Sequence, residues 1–333
     1  MLAGLGVAGL VDDLVPVDRL RLVRGDRTVE RRTTRPSYVV PRAVLDARLV
    51  DAARDAGAVL RRHRVRDLRQ DSGGLVLDEA LRARVLVGSD GARSVVRRHL
   101  GRTHDRWALA LRGYAPVLPE HRGTQAIVFA GAPLAYAWSF DRGDGLANVG
   151  YGEVLGTDRP APTRAQLLAR LEQHLPGSTA SASGWRGHHL PLSGARWRLP
   201  AGRVLLAGDA AGLVNPLTGE GIYYAVATGA SAGRAAASAV REGAPEAAGA
   251  AHARACAALL RGHLRHTAAA ARLCTSGRLL DAGLDASARH QRVFDDLVEL
   301  GLARGRITPA VAGGLAAALV RDRFRPSPAR HER

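Results

Sequence analysis

Apolar and polar positions along the chain recur with two periods, one that suits strands and one that suits helices. Residues 14–32 read as a short extended pair around Arg24-Gly25-Asp26, a turn signal. Val44, Leu45, Leu49, Val50 and Ala53 recur at helical spacing, which predicts a helix over 42–56 closed by Gly57. Alternating stretches at 58–69 and 74–78 predict strands. Residues 84–91 predict a buried strand that breaks into a glycine turn, followed by a short basic helix to His99. From Trp107 to Gly152 the pattern predicts four more strands, at 109–117, 125–130, 135–140 and 147–151. Thr163-Arg-Ala-Gln166 spells a capping box opening a helix to Leu175. A second buried strand at 203–209 breaks into a glycine turn before a long helix of small residues, about 219–241. Residues 245–320 read as helices, the last opened by Thr308-Pro309.

This order predicts a mixed α/β chain in which one discontinuous domain is interrupted by a sheet. The expected division is a hairpin over 1–35, an α/β domain split between 36–106 and 201–242, a sheet domain over 107–200, and a helical region over 243–333. No internal repeat is visible.

At 46% hydrophobic and 24% charged residues, the 333-residue chain can bury a core and is not of the disordered class. Its 38 glycines suit a fold with many tight backbone approaches. Two cysteines, Cys256 and Cys274, exclude a disulfide scaffold and fit a reducing compartment. The 48 basic residues are all arginine and outnumber 31 acidic ones, giving +17. They are spread along the chain, which suits a coding bias first, attraction to an anionic membrane surface second, and nucleic acid least. No stretch nears the roughly 20 apolar residues of a membrane span. The apolar start runs into Asp12-Asp13 with no basic segment before it, so the expected location is the cytoplasm.

The richest segment runs from Arg203-Val-Leu-Leu-Ala-Gly-Asp209 through Pro216 to Gly219-Glu-Gly-Ile222. A buried strand delivers Asp209 at its C-terminal edge, where α/β sheets bind ligands, and a carboxylate there can accept hydrogen bonds from ligand hydroxyls. Gly219 and Gly221 let backbone approach a flat ligand, and the start of the next helix aims its amides and positive dipole at it. The same letters also spell a plain strand, turn and capped helix; the length of the run favours the ligand reading.

This segment resembles the second FAD-binding motif of the flavoprotein hydroxylase and geranylgeranyl reductase superfamily. Gly88-Ser-Asp-Gly-Ala-Arg-Ser-Val-Val-Arg97 resembles that superfamily's other glycine–aspartate motif, and Tyr38-Val-Val-Pro-Arg-Ala-Val-Leu-Asp46 its conserved helix start. The resemblance implies a Rossmann-like FAD/NAD(P)-binding domain with an inserted antiparallel substrate sheet. It implies that Arg42, Asp209, Pro216, Gly219, Glu220, Gly221 and Ile222 lie at the FAD, that Asp90 and Gly91 lie between FAD and nicotinamide, and that a strand through Val65 passes the adenine.

Tyr136-Ala-Trp-Ser-Phe-Asp141, followed after eight residues by Gly150-Tyr-Gly152, resembles the geranylgeranyl reductase signature, departing from it at Asp141, where proline is expected. Alternate residues share a strand face, so Tyr136, Trp138 and Phe140 would form an aromatic wall. By resemblance they bind a prenyl chain together with Gly150 and Gly152; read by themselves they suit a sheet face packed on a helix. The resemblance covers about residues 10–310. It lacks the opening strand, G-x-G-x-x-G and helix, and the reductases' Pro-Cys-Gly-Gly segment. Gly4-Leu-Gly-Val-Ala-Gly9 matches the spelling but has too few residues before it, and Asp12, Asp13 and Pro16 spoil a phosphate-binding helix. The expectation is therefore a start codon placed downstream of the true one, in preference to a degenerate or excised fragment, and weak or no FAD binding by the chain as given.

Cys256, His263, His266 and Cys274 have no metal-ligand spacing, so no metal is expected. His188 and His189 read as plain polar residues. The expected function is FAD-dependent reduction of C=C bonds in a prenyl chain of a geranylgeranyl lipid or menaquinone, with NAD(P)H or another reductant as donor. The proton donor is unassigned. Peripheral contact with an anionic membrane is expected, and no nucleic acid. The alternatives are a flavin monooxygenase of an aromatic or polyketide compound and a truncated, non-catalytic remnant.

Overall fold

The computed structural model describes residues 2–131, 134–302 and 304–324. The hairpin read near the start forms as β1 (Val17–Arg24) and β2 (Arg27–Ser37), turning through Gly25 at φ +58°. It joins β7 (Trp107–Pro116), β8 (Thr124–Phe129), β9 (Ala135–Asp141), β10 (Leu146–Val154) and β11 (Ser183–Pro191) in a seven-stranded sheet. The order is β11-β7-β10-β9-β8-β1-β2. The sheet was expected to be antiparallel, but β1 runs parallel to β8. An early hairpin docks on the edge of a sheet laid down 90 residues later, so no tight turn dictates its direction.

One face of this sheet packs on α3 (Arg164–His174), which begins with the expected capping box between Thr163 and Gln166. Ala135, Ala137, Ala147, Val149, Tyr151, Leu167 and Leu171 form the core between them. The opposite face is covered at its β1–β2 end by α6 (Gly277–Arg289) and α7 (Gln291–Leu302), through Val29, Leu284 and Phe294. α8 (Pro309–Arg323), capped by the Thr308 hydroxyl, packs on both helices. The last nine residues of the expected C-terminal region, 325–333, lie outside the described residues.

The second unit is built on two three-residue parallel strands, β6 (Leu86–Gly88) and β12 (Val204–Leu206). Around them lie α2 (Val95–His99), α4 (Ile222–Arg241), α5 (Ala247–Leu273), and the small sheet of β3 (Leu68–Asp71), β4 (Gly74–Leu77) and β5 (Leu81–Ala83), while α1 (Arg42–Asp55) buries no residue. His252 on α5 donates from Nε2 to the Leu206 carbonyl, and its Nδ1 faces Ser231 Oγ, each at 3.0 Å. The strand expected over 58–69 forms only from Leu68. Arg61, Arg62, His63, Arg64 and Arg66 are all exposed, which suits no sheet face. The amides of Arg66 and Asp67 donate instead to Asp78 Oδ1. Val65 therefore lies in irregular chain, packed half-buried against the Leu68–Leu75–Val96 cluster. Gly4–Gly9 likewise does not carry a strand into a helix: a short 3₁₀ turn at Ala3–Leu5 is its only regular structure.

The aromatic wall is set by register. Tyr136 pairs directly with Gly152, and Trp138 with Gly150. A Cβ on Gly150 would fall 2.2 Å from the Trp138 ring and 2.4 Å from the Leu111 carbonyl oxygen, whereas one on Gly152 meets nothing nearer than 3.4 Å. Gly150→Ala should cost about 1–3 kcal/mol through overpacking, while Gly152→Ala should leave the melting temperature nearly unchanged. Thermal unfolding of the two variants checks this; equal effects would contradict it.

Candidate active site

The loops that follow β6 and β12 meet because the strands are parallel and adjacent. Asp90 leaves β6 and spends its carboxylate on the start of α2, accepting from Ser94 Oγ at 2.5 Å and the Val95 amide at 2.7 Å. Gly91 follows in a left-handed turn at φ +77°. Asp90 thus shapes this loop, and its oxygens are already engaged.

Arg97 joins the two loops. Its guanidinium, nearly buried, donates to the carbonyls of Asp209 and Ala210, both at 3.1 Å, and to that of Ala92. Arg97 closes the Gly88–Arg97 motif, yet the motif by itself assigns it no role. A basic residue in the middle of a short helix carries no visible sign that it will reach a turn 112 positions on.

Asp209 sits in a short 3₁₀ turn entered through Gly208 at φ +56° and left through Gly212 at φ +69°. Among the described residues no donor reaches either of its carboxylate oxygens. Burial pushes its pKa up, and the charges of Arg42 and Arg97 oppose part of that rise. A Cβ on Gly221 would lie 3.3 Å from Asp209 Oδ1, so glycine there keeps the carboxylate's front open. Arg42, at the first turn of α1, is paired with Asp46 at 2.9 Å, yet its field reaches both Asp209 and Glu220.

The loop from Asn215 to Gly221 is tied down at both ends. Asn215, fully buried, donates to the carbonyls of Leu300 (3.1 Å) and Gly301 (3.0 Å) at the end of α7, and the Thr218 hydroxyl donates to Gly301. Pro216 is buried beneath. The Tyr136 hydroxyl donates to the Thr218 carbonyl. Glu220 Oε1 accepts from the amides of Ile222 (2.6 Å) and Tyr223 (3.1 Å). Those two amides were expected to face a ligand and are already taken. What α4 offers is its dipole and the glycine backbone before it. Gly219, at φ +72°, lies between the wall and the loop, its missing Cβ 3.8 Å from the Tyr136 hydroxyl.

Arg42, Asp209, Gly219, Glu220, Gly221, Ile222 and Tyr136 are thereby brought to one place. Asp90 and Gly91 stand beside it across Arg97, and Trp138 and Phe140 lead away from it along β9. Val65 does not supply a strand there. Two shallow concavities, one lined by Ala253, Ala257 and Arg261 and one by Trp197, Leu264 and Arg265, lie along α5 and contain none of these residues.

An unengaged, half-buried carboxylate beside glycines at a strand's C-terminal edge fits a flat, hydroxyl-bearing cofactor. A family model described as "FAD binding domain" matches residues 18–265. The chain belongs to this FAD-binding domain family. It is 33% identical over 254 residues to a menaquinone reductase of Mycolicibacterium smegmatis, covering 68% of this chain and 61% of the relative. It is 34% identical over 222 residues to a digeranylgeranylglycerophospholipid reductase of Methanothrix thermoacetophila, covering 62% and 56%. The chain thus spans somewhat over half the length of these relatives. Among solved structures, a geranylgeranyl bacteriochlorophyll reductase-like protein from Thermoplasma acidophilum shares the fold, with a TM-score of 0.77 at 18% identity over 96% of this chain and 85% of that one. A flavin-dependent brominase also shares it, at a TM-score of 0.65 and 16% identity.

A carboxyl whose pKa is raised by folding weakens the fold once pH passes its unfolded value, near 3.9, and the cost is complete above its folded value. Asp209→Asn should therefore raise the melting temperature by a few degrees at neutral pH, with the gain vanishing as pH falls below the carboxylate range. Thermal melts of both proteins across pH check the sign; no gain at neutral pH would contradict it.

Proposed function

We propose that the chain acts as an FAD-dependent reductase of isolated C=C bonds in a prenyl chain. The observation that carries this reading is contiguity. The loop bearing Asp209 and the glycines is hydrogen-bonded through Thr218 to Tyr136, the first residue of the aromatic wall. A ligand lying on the wall would therefore end at the flavin loop. The names of the relatives, menaquinone reductase and digeranylgeranylglycerophospholipid reductase, support the same substrate class.

Bound FAD, recharged by NAD(P)H or another reductant, would supply the hydride. Asp209 would accept hydrogen bonds from the cofactor's hydroxyls, and Gly219 and Gly221 would let the backbone lie against it. The α4 dipole would favour negative charge at its start, and Arg42 adds positive field on the same side. Tyr136, Trp138 and Phe140, with ring centroids 5.8 and 6.3 Å apart in turn, would lay out an apolar track beside Gly150 and Gly152. Such a surface suits a flat, branched hydrocarbon that offers no hydrogen bonds. Tyr136 serves position rather than proton transfer: burial drives its pKa far above the ordinary tyrosine value, and its hydroxyl is committed to Thr218. The flavin monooxygenase reading draws support from fold likeness alone.

No helix among the described residues is long and apolar enough to cross a membrane. Access to a lipid substrate would then come from peripheral contact, for which the arginine-rich surface of the C-terminal helices is suited.

The test supplies the chain with FAD, a chemical reductant and a geranylgeranyl lipid, and follows product mass. The expected product gains two hydrogens for each bond reduced. Asp209→Ala should lower FAD affinity at least about tenfold, read by flavin fluorescence, and Trp138→Ala should lower turnover without changing FAD affinity. Hydroxylated product in air, with no reduced product, would overturn the proposal.

A further inference from the structure

We infer that Glu220 donates the proton that reduction of the C=C bond requires, which makes it a catalytic residue of the reaction proposed above. The inference rests on that reading and fills the one role that the sequence leaves unassigned. Glu220 stands between the two glycines of the loop that ties the cofactor side to the wall. A Cβ on Gly219, before it, would lie 3.8 Å from the Tyr136 hydroxyl, and one on Gly221, after it, 3.3 Å from Asp209 Oδ1. The residue between them therefore sits where a ligand on the aromatic track would meet the cofactor loop. Its side chain is fixed by one oxygen alone. The amides of Ile222, at 2.6 Å, and Tyr223, at 3.1 Å, both donate to Oε1, and among the described residues no donor reaches Oε2. A protonated carboxyl has this form: its carbonyl oxygen accepts, and its hydroxyl oxygen carries a proton to give.

Two carboxyls share the site, and their surroundings divide the work between them. Burial lifts the pKa of both. For Asp209 the neighbouring charges, Arg42 and Arg97, oppose that rise. For Glu220 the two amides and Arg42 oppose it, but the negative charge of Asp209 adds to it. Carboxyls that feel each other's charge favour one proton between them, and these surroundings assign it to Glu220. The other titratable groups that face Glu220 are two tyrosines, and both are engaged. The Tyr136 hydroxyl donates to the Thr218 carbonyl, and the Tyr224 hydroxyl lies 2.5 Å from His263 Nε2. Burial drives both hydroxyls far above the carboxyl range. His188 shares a row with Ala110, Gly152 and Tyr136, which places it three strands away from the wall.

The π pair of the C=C bond takes the proton from Oε2, the O–H bond breaks, and a carboxylate remains. The other carbon accepts hydride, with its electron pair, from the reduced flavin. The alkene gains two hydrogens and two electrons, and the flavin loses that hydride and two electrons with it. Solvent returns the proton to Glu220, whose side chain is only partly buried. The amides of Ile222 and Tyr223 and the α4 dipole hold the carboxylate that the step leaves, so the new charge is met by donors already in place.

Glu220→Gln separates an acid from a helix cap, because the amide oxygen still accepts from Ile222 and Tyr223 while no acid is left. With FAD, a chemical reductant and a geranylgeranyl lipid, the variant should turn over at least about 100-fold more slowly than the unsubstituted chain. Its FAD affinity, read by flavin fluorescence, should be unchanged, and Glu220→Asp should recover part of the loss. Turnover of the unsubstituted chain should fall as pH rises through the Glu220 pKa, since only the protonated form donates, and the Gln variant should lack that limb. A second readout needs no turnover. The infrared carbonyl band of protonated carboxyls should persist above the ordinary carboxylate range and shrink in the Gln variant. Equal turnover, or an unchanged infrared band, would overturn the donor and leave the reductase reading intact. A fall in FAD affinity as large as the fall in turnover would make Glu220 a cofactor contact and overturn the inference. Absence of reduced product from the unsubstituted chain would overturn the reductase reading and this inference with it.

Discussion

The candidate site depends on one buried guanidinium. β6 and β12 are only three residues each, and so short a parallel pair cannot by itself hold two ligand-facing loops at a set distance. Arg97 does so by donating to carbonyls of both loops from a position almost closed to water. Hydrogen bonds from a charged donor are worth about 1.5–3 kcal/mol each, and the acceptors here are backbone carbonyls. The bonds are local in space and distant in sequence, so they fix tertiary geometry and not the shape of one segment.

A second set of ties extends that geometry to the large sheet. Asn215 and Thr218 anchor the glycine loop to the end of α7, and Tyr136 anchors it to β9. The helix that grips the loop, α7, also helps α6 to cover the β1–β2 end of the sheet. Loop, wall and helices therefore form one mechanical unit. The Tyr224 hydroxyl lies 2.5 Å from His263 Nε2, and His263 donates from Nδ1 to the Gly305 carbonyl at 2.7 Å, closing the same circuit from the α4–α5 side. His263, spelled beside Cys256 and Cys274 in the sequence, is thus committed to joining α5 to the segment before α8.

Much of the local structure was legible. The capping box at Thr163, the strands of the sheet other than β11 and the Thr308-Pro309 opening depend on neighbours a few residues away, where side-chain chemistry acts directly. Gly208, Gly212 and Gly219 were legible for the same reason, since a left-handed turn demands them. The signature of alternating aromatics and paired glycines was visible as a pattern, but its cause was not. It is register: Trp138 stands opposite Gly150 because its indole fills the room that a Cβ would need, whereas Gly152, opposite Tyr136, has space for a Cβ and Phe140 faces Asn148.

By itself, then, the sequence determined the elements, their order, the glycine turns and the family to which the chain belongs. Only the tertiary structure decided that residues 58–67 would form no strand, that β1 would lie parallel to β8, and that Asp90 would be spent on its own helix while Asp209 stayed open. The difference is physical. Local choices follow from dihedral preference and spacing along a few residues, whereas the partner of a buried carboxylate, carbonyl or guanidinium is set by whichever group the packing of distant segments brings within hydrogen-bond reach.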